Sequence, residues 1–298
     1  MSFLDEEQKA KLAIERMVFH LVGPSNEHLQ LLQETQPGDF EEFFLNLISN
    51  VEGGNLYRFS DASATRTRLA RIAEDPLVFQ HESEKLAEDF QRTHGGSTVP
   101  GAFLVFVLTS GKEKIFALLK YDDEEVLAYE VEELPGGKKR VTLDQVERTF
   151  VQDKKALQKA ALVRLSENGG ELLVLDRLNP QKVARYFENF LDAIRLFDDK
   201  ELTSRLVKAT KETIMQNKEH VSPDVLKNLH QRLYAAAVGG GKVEVKNSGR
   251  GFLEAVLGNP IHDDSPLLPK LRNKLKKERI EGAAFHLDAE TINPPRVR

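Results

Sequence analysis

Several places in this sequence hold residue types that could do chemistry, and each lacks part of what that chemistry requires. Gly239-Gly240-Gly241-Lys242 sets a lysine behind a glycine run, as a loop that cradles phosphate in its backbone N–H groups does. That loop also needs an upstream glycine and a Ser or Thr after the lysine. Val238 and Val243 do not fit these flanks, so a glycine-rich helix stop is the better reading. His262-Asp263-Asp264 and His286-Leu287-Asp288 pair imidazoles with carboxylates, as a metal site or a general base would, but in polar sequence that reads as turns. There is no G-x-S-x-G elbow and no H-E-x-x-H helix. A metal-dependent nuclease needs carboxylates and a lysine converging across strands. Asp122, Glu130 and Lys120 lie in a suitable region without diagnostic spacing. The run Asp122-Asp123-Glu124-Glu125 has no neighbouring ligand spacing and reads as a solvated loop. The sequence therefore reads as non-enzymatic, with no catalytic residue, metal or cofactor assigned and the nuclease kept as an alternative.

The cations carry a stronger signal. Between Lys138 and Arg164 there are eight positive residues, Lys138, Lys139, Arg140, Arg148, Lys154, Lys155, Lys159 and Arg164, against three negative ones. On hairpins such residues can line a groove. A second cluster, Lys270, Arg272, Lys274, Lys276, Lys277 and Arg279, is opposed by Glu278 alone. At about 100° per residue, Lys270, Lys274 and Lys277 share one helix face and Arg272, Lys276 and Arg279 another, on either side of a Leu268/Leu271/Leu275 stripe. Such a helix can bury its leucines while offering cations to phosphates. Lys242, Lys246 and Arg250, close to Gly249 and Gly251, read as a flexible basic loop. Contact with phosphates would neutralise backbone charge and release counterions, giving little sequence preference and a strong salt dependence. No aromatic residues interleave with these clusters, so a duplex is a better partner than a stacked single strand.

Charge distribution supports that emphasis. The net charge is −5. Residues 1–136 hold 12 Lys/Arg against 25 Asp/Glu, and residues 137–298 hold 30 against 22. An acidic half joined to a basic half points to an anionic partner for the second and leaves the first open to a basic protein partner or a second copy of the chain. With 40% hydrophobic and 30% charged residues, the composition is that of a globular protein. No apolar run reaches the roughly 20 residues of a membrane span, and Met1-Ser2-Phe3-Leu4-Asp5-Glu6-Glu7 has no leader character. The absence of cysteine excludes disulfides, thiolate metal sites and a cysteine nucleophile. A cytoplasmic location is expected.

Ala160–Leu165 and Leu172–Leu175, joined through Asn168-Gly169-Gly170, predict two antiparallel strands. Asn179-Pro180 then reads as a helix entry, with Val183, Phe187, Phe190, Leu191 and Ile194 on one apolar face. Phe103–Leu108 and Ile115–Leu119 are strands buried on both faces, and Val126–Val131 reads as a third, so that a meander is expected over 101–176. Met17–Val22 predicts an initial strand. Helices are expected at Phe40–Val51, Leu69–Ala73 and Leu86–Phe90, and again through most of the chain after Phe197. One of these opens at Ser222-Pro223-Asp224, and a short one covers Phe252–Leu257.

The element order, and the segment Lys182-Val183-Ala184-Arg185-Tyr186-Phe187-Glu188-Asn189-Phe190-Leu191 in particular, resembles the bacterial nucleoid-associated protein family (NdpA-like). Gly101–Tyr121 and Gln158–Arg164 also match, with a looser echo at Leu233–Leu257. The matching residues are packing residues, so they bear on fold more than on chemistry. In these relatives the chain runs on past Arg298. The resemblance implies nucleoid association and double-stranded DNA binding, and it brings no catalytic residues.

The expected fold is α+β: an antiparallel β-meander sheet with covering helices (residues 1–178), followed by a mostly helical C-terminal region with a basic surface (residues 179–298). The expected function is non-enzymatic, low-specificity binding of double-stranded DNA in the nucleoid by a homodimer. The alternative from another class is a protein-interaction component of a DNA-processing or phage-defence assembly.

Overall fold

The computed structural model describes residues 3–122, 124–134, 138–149, 157–167, 169–239 and 241–292. In chain order its elements are α1 (Glu6–Ala10), β1 (Leu12–Val22), α2 (Glu41–Ser49), β2 (Asn55–Phe59), α3 (Ala64–Glu74), α4 (Phe79–His94), β3 (Gly101–Ser110) and β4 (Glu113–Asp122). A two-stranded pair follows, β5 (Glu124–Leu134) and β6 (Lys138–Thr149), then β7 (Leu157–Ser166), β8 (Gly169–Asp176), α5 (Arg185–Leu191) and β9 (Ala193–Arg195). The C-terminal half comprises α6 (Asp199–Met215), α7 (Pro223–Lys227), α8 (Leu229–Val238), β10 (Lys242–Glu244), α9 (Val245–Leu257), α10 (Leu267–Lys277) and β11 (Ala284–His286).

Seven strands form one antiparallel sheet in the order β1-β3-β4-β7-β8-β2-β9. Its central strands are apolar on both faces, and the two-residue alternation sorts them cleanly. Phe103, Val105 and Val107 point into a core shared with α3, α4 and α5, while Leu104, Phe106 and Leu108 point into one shared with α2, Phe3 and Leu4. Gly111, at φ +64°, makes the two-residue β3–β4 turn between Ser110 and Glu113. A third core, from Phe197 to Ile292, belongs to the C-terminal helices. The expected α+β architecture with a helical C-terminal region is what the chain adopts.

Three local expectations need correction. The segment around Val126–Val131 is not the third strand of the meander. It pairs with β6 in a separate two-stranded sheet, from Glu124↔Thr149 to Leu134↔Lys138, and β7 takes the place beside β4. Between Phe116 and Tyr121, β4 needs an apolar partner on both faces. The run Leu157–Val163 supplies it with Lys159 as its single charge, paired to Asp176, whereas β5, with its five glutamates, would bury several charges there. Second, Asn179-Pro180 does not start a helix. The Asp176 carboxylate accepts the N–H groups of Leu178 (3.0 Å), Asn179 (3.2 Å) and Ala184 (2.8 Å), which holds the chain in a loop until α5 begins at Arg185. Ile194 then falls on β9, where it is exposed. Third, Lys246 and Arg250 are helical, not part of a flexible loop, as described below.

His20 on β1 is fully buried. Its Nδ1 accepts the Leu32 N–H (3.1 Å) and its Nε2 faces Ser83 Oγ (3.4 Å), an arrangement that suits the neutral ring. Burial lowers its pKa from 6.5 to about 4. The folded state therefore disfavours the imidazolium, and stability is full above pH 6.5 and lost as pH falls toward 4. A loss of up to about 3 kcal/mol is expected over that window. Urea melts from pH 7 to pH 4 should show it, and His20→Gln should flatten the decline.

Candidate nucleic-acid interface

The basic residues of the C-terminal half are set in place by two helices and a short sheet. Helix α9 buries Val245, Phe252, Leu253 and Val256, and it stays helical despite Gly249 and Gly251 because of tertiary packing. A Cβ on Gly249 would lie 3.2 Å from Leu275 Cδ1, so the glycine lets α9 approach α10 closely. Lys246 and Arg250 stand one turn apart on α9, and Lys242 is exposed on β10 beside it. Arg250 is tied to Glu254 (2.9 Å), to Asp263 and to the Ile261 carbonyl, which folds the 258–264 turn back onto the helix.

Helix α10 buries Leu267, Leu271 and Leu275 and divides its cations as the helical spacing predicts. On one side Lys270 donates to Asn217 and Lys274 pairs with Glu212 (2.7 Å), both on or just after α6. Lys274 holds the Glu212 carboxyl below its usual pKa, with Lys277 adding to the effect. On the other side stand Arg272, which is exposed, Lys276, which reaches Glu281 (3.6 Å), and Arg279, which pairs with Glu171 at the start of β8. Arg279 follows the helix at φ +60°, a left-handed end that turns the chain back toward the sheet.

This second side faces a cleft of about 630 Å³ between the two halves of the protein. Lys246, Arg250, Arg272, Lys276 and Arg279 all line it, joined by Lys9 from α1 and Arg195 from β9, against Glu6 and Glu281. Five residues read from two separate stretches of sequence thus meet around one opening. Lys9 and Arg195 carried no local signal, since each is a single cation brought there by the sheet. Arg195 is held by Asp199 (2.8 Å), the Ala284 carbonyl (2.9 Å) and Asn55 Oδ1 (3.3 Å).

The cluster at 138–164 fares differently. Lys138, Lys139 and Arg140 lie on β6 opposite Leu134, Glu133 and Glu132, and Lys154 and Lys155 lie outside the described residues. Arg164 pairs with Glu113, donates to the Phe3 carbonyl (2.8 Å) and stacks on the Phe3 ring, so it pins the N-terminus to the sheet. Lys159 is a correction. It is 3% exposed and bonded to the fully buried Asp176 (2.9 Å), so its charge is used inside the fold and not on a groove.

Lys159 belongs to a row that sequence reading missed. The register aligns His20, Phe103, Lys120, Lys159 and Asp176 across five strands. Lys120, fully buried, donates to Asp122 Oδ1 (2.8 Å) and to the Tyr121 carbonyl (3.1 Å). A fully buried Lys–Asp pair and one whose aspartate is partly exposed therefore sit side by side, with Tyr186 over Lys159 and its hydroxyl pKa pushed up to about 12 by burial and by Asp176. Glu130, the remaining residue of the nuclease pattern, is on β5. Among the described residues no group of three or more His, Asp or Glu side chains is placed to hold a metal ion. His262 is exposed and bonded to Asp264 (2.6 Å), as a turn residue would be. No helix of the described residues is long and apolar enough to cross a membrane.

Among curated proteins none matches this chain. A family match is found, and it runs from the first strand of the sheet through the C-terminal helices, in agreement with the resemblance drawn from Lys182–Leu191. Residues 20–290 match the family of the nucleoid-associated protein YejK, and the chain belongs to that family.

Proposed function

We propose that this protein is a non-enzymatic double-stranded DNA-binding protein of the nucleoid, and that α9 and α10 present its DNA-facing surface. The observation that carries the reading is the convergence of Lys246, Arg250, Arg272, Lys276 and Arg279 on one rim, with Lys277 exposed at the end of α10 and Lys242 exposed on β10 beside α9. Cations arranged in this way meet phosphates without reading base edges, so affinity depends on charge more than on sequence. Several of them already have a carboxylate partner, and DNA then replaces an acidic neighbour instead of meeting bare charge. That favours moderate affinity. A homodimer, as the charge asymmetry of the sequence suggests, would carry two such surfaces and could hold two duplexes.

The test is binding of a labelled random-sequence duplex across a salt series, with and without Mg²⁺. About five phosphate contacts correspond to a slope of log K against log salt near −4.5. Arg272→Glu/Lys276→Glu should make the slope shallower by about 2 and weaken binding alike on unrelated sequences. Sedimentation at the same protein concentrations reports whether the binding form is a dimer. Absence of binding at low salt would overturn the proposal, and Mg²⁺-dependent cutting would move the assignment to the nuclease.

A further inference from the structure

The β5–β6 pair is an insertion between two strands that are neighbours in the main sheet, since β4 ends at Asp122 and β7 begins at Leu157. Its strands are 11 and 12 residues long, roughly twice the usual length. Among the described residues neither is paired with any strand but the other, and no helix packs along them. A two-stranded ribbon on its own is marginally stable in water, and its outer edges offer rows of backbone N–H and C=O groups to a further strand. No proline blocks either edge.

Charge decides which edge is used and by what. β5 carries five glutamates and no cation, so a second copy of β5 laid beside it would be repelled. β6 carries Lys138, Lys139, Arg140 and Arg148 together with Asp144 and Glu147, a mixed strand that can complement itself. Two antiparallel copies of β6 related by a two-fold axis at Thr142 bring Arg140 opposite Asp144 twice and oppose no like charges. Moving the axis to Leu143 opposes Lys138 to Arg148, moving it to Asp144 opposes two aspartates, and moving it to Val141 shortens the ladder. In the Thr142 register Val141 stands opposite Leu143 of the second copy. The β5–β6 register sets Val131 beside Val141 and Tyr129 beside Leu143, so these positions form one apolar stripe across all four strands. We infer that β6 is the dimerisation edge of this protein, and that two copies join their ribbons into a four-stranded antiparallel sheet in the order β5-β6-β6-β5. The inference rests on the homodimer reading above and names its interface, and it uses none of the cations on α9 and α10.

The chain has no cysteine, so single cysteines report the interface without background. Residues that face each other in an antiparallel pair have Cα atoms about 4.5–5.5 Å apart, within reach of a disulfide. Thr142→Cys in the full chain should therefore give a covalent dimer under mild oxidation. Glu130→Cys, which the register sets opposite Thr142 on β5, should not, because three strand spacings of about 4.8 Å would separate its two copies. Sedimentation of the unaltered protein should show a dimer. Arg140→Glu should raise the dissociation constant about tenfold, because it turns two opposite-charge pairs into like-charge ones. A dimer that Thr142→Cys does not link, or that Glu130→Cys links as readily, would overturn this interface and leave the homodimer standing. A monomeric unaltered protein would overturn both and leave the ribbon edge to a strand of another protein, while the salt-dependent binding of DNA is read separately.

Discussion

Asp176→Ala should destabilise the protein by about 3–5 kcal/mol, the cost of leaving a buried charge without its partner. The carboxylate is fully buried, bonded to Lys159, and accepts the N–H groups of Leu178, Asn179 and Ala184. Removing it strands an ammonium and three backbone donors in the same apolar surroundings. Lys159→Met should cost clearly less, because Asp176 keeps its three backbone donors and the methionine fills the space of the lysine stem. Urea denaturation with an unchanged m-value would report both. An Asp176→Ala variant no less stable than Lys159→Met would show that the loop N–H groups do not depend on this carboxylate.

Phe90→Ala should cost about as much, roughly 3–5 kcal/mol. The Phe90 ring is fully buried in α4, stacked on Phe103 at 4.8 Å and met edge-on by Phe190 at 5.4 Å and Phe187 at 6.4 Å. This cluster holds α4 and α5 to the sheet, so the cavity would open where three elements meet. Phe40→Ala is the contrasting case. Its ring is 69% exposed, and the change should stay within about 0.5 kcal/mol in the same denaturation assay. Comparable losses for the two would mean that the aromatic cluster adds nothing beyond exchangeable surface.

The central strands were legible because Phe103–Leu108 and Ile115–Leu119 are apolar at every position, a pattern that only burial on two faces explains. The division of α10 into two cationic sides was legible from helical spacing. Other features were hidden for physical reasons. In β2 five residues are held between β8 and β9, and no local pattern announces partners so far along the chain. Lys159 looked like surface because its counterion stands on the next strand, beyond the reach of a local charge count. The α9 segment looked like a loop because two glycines argue against a helix in isolation, while Gly249 is there to let Leu275 approach. Lys9 and Arg195 join the cleft through the fold alone.

The placement of β2 also governs the order in which this chain can fold. Asn55 faces Val174 on one side, Tyr57 faces Arg195 on the other, and the Asn55 amide is bonded to Ala284 near the far end of the described chain. Loop closure over such separations comes late, since its entropic cost falls before any contact offsets it. During synthesis the strand β2 has no partner until β8 and β9 have left the ribosome. The hairpin from β3 to β4, by contrast, can form as soon as Asp122 has emerged. Folding should therefore grow outward from β3 and β4, and the insertion of β2 is the step that joins the earliest part of the chain to the last.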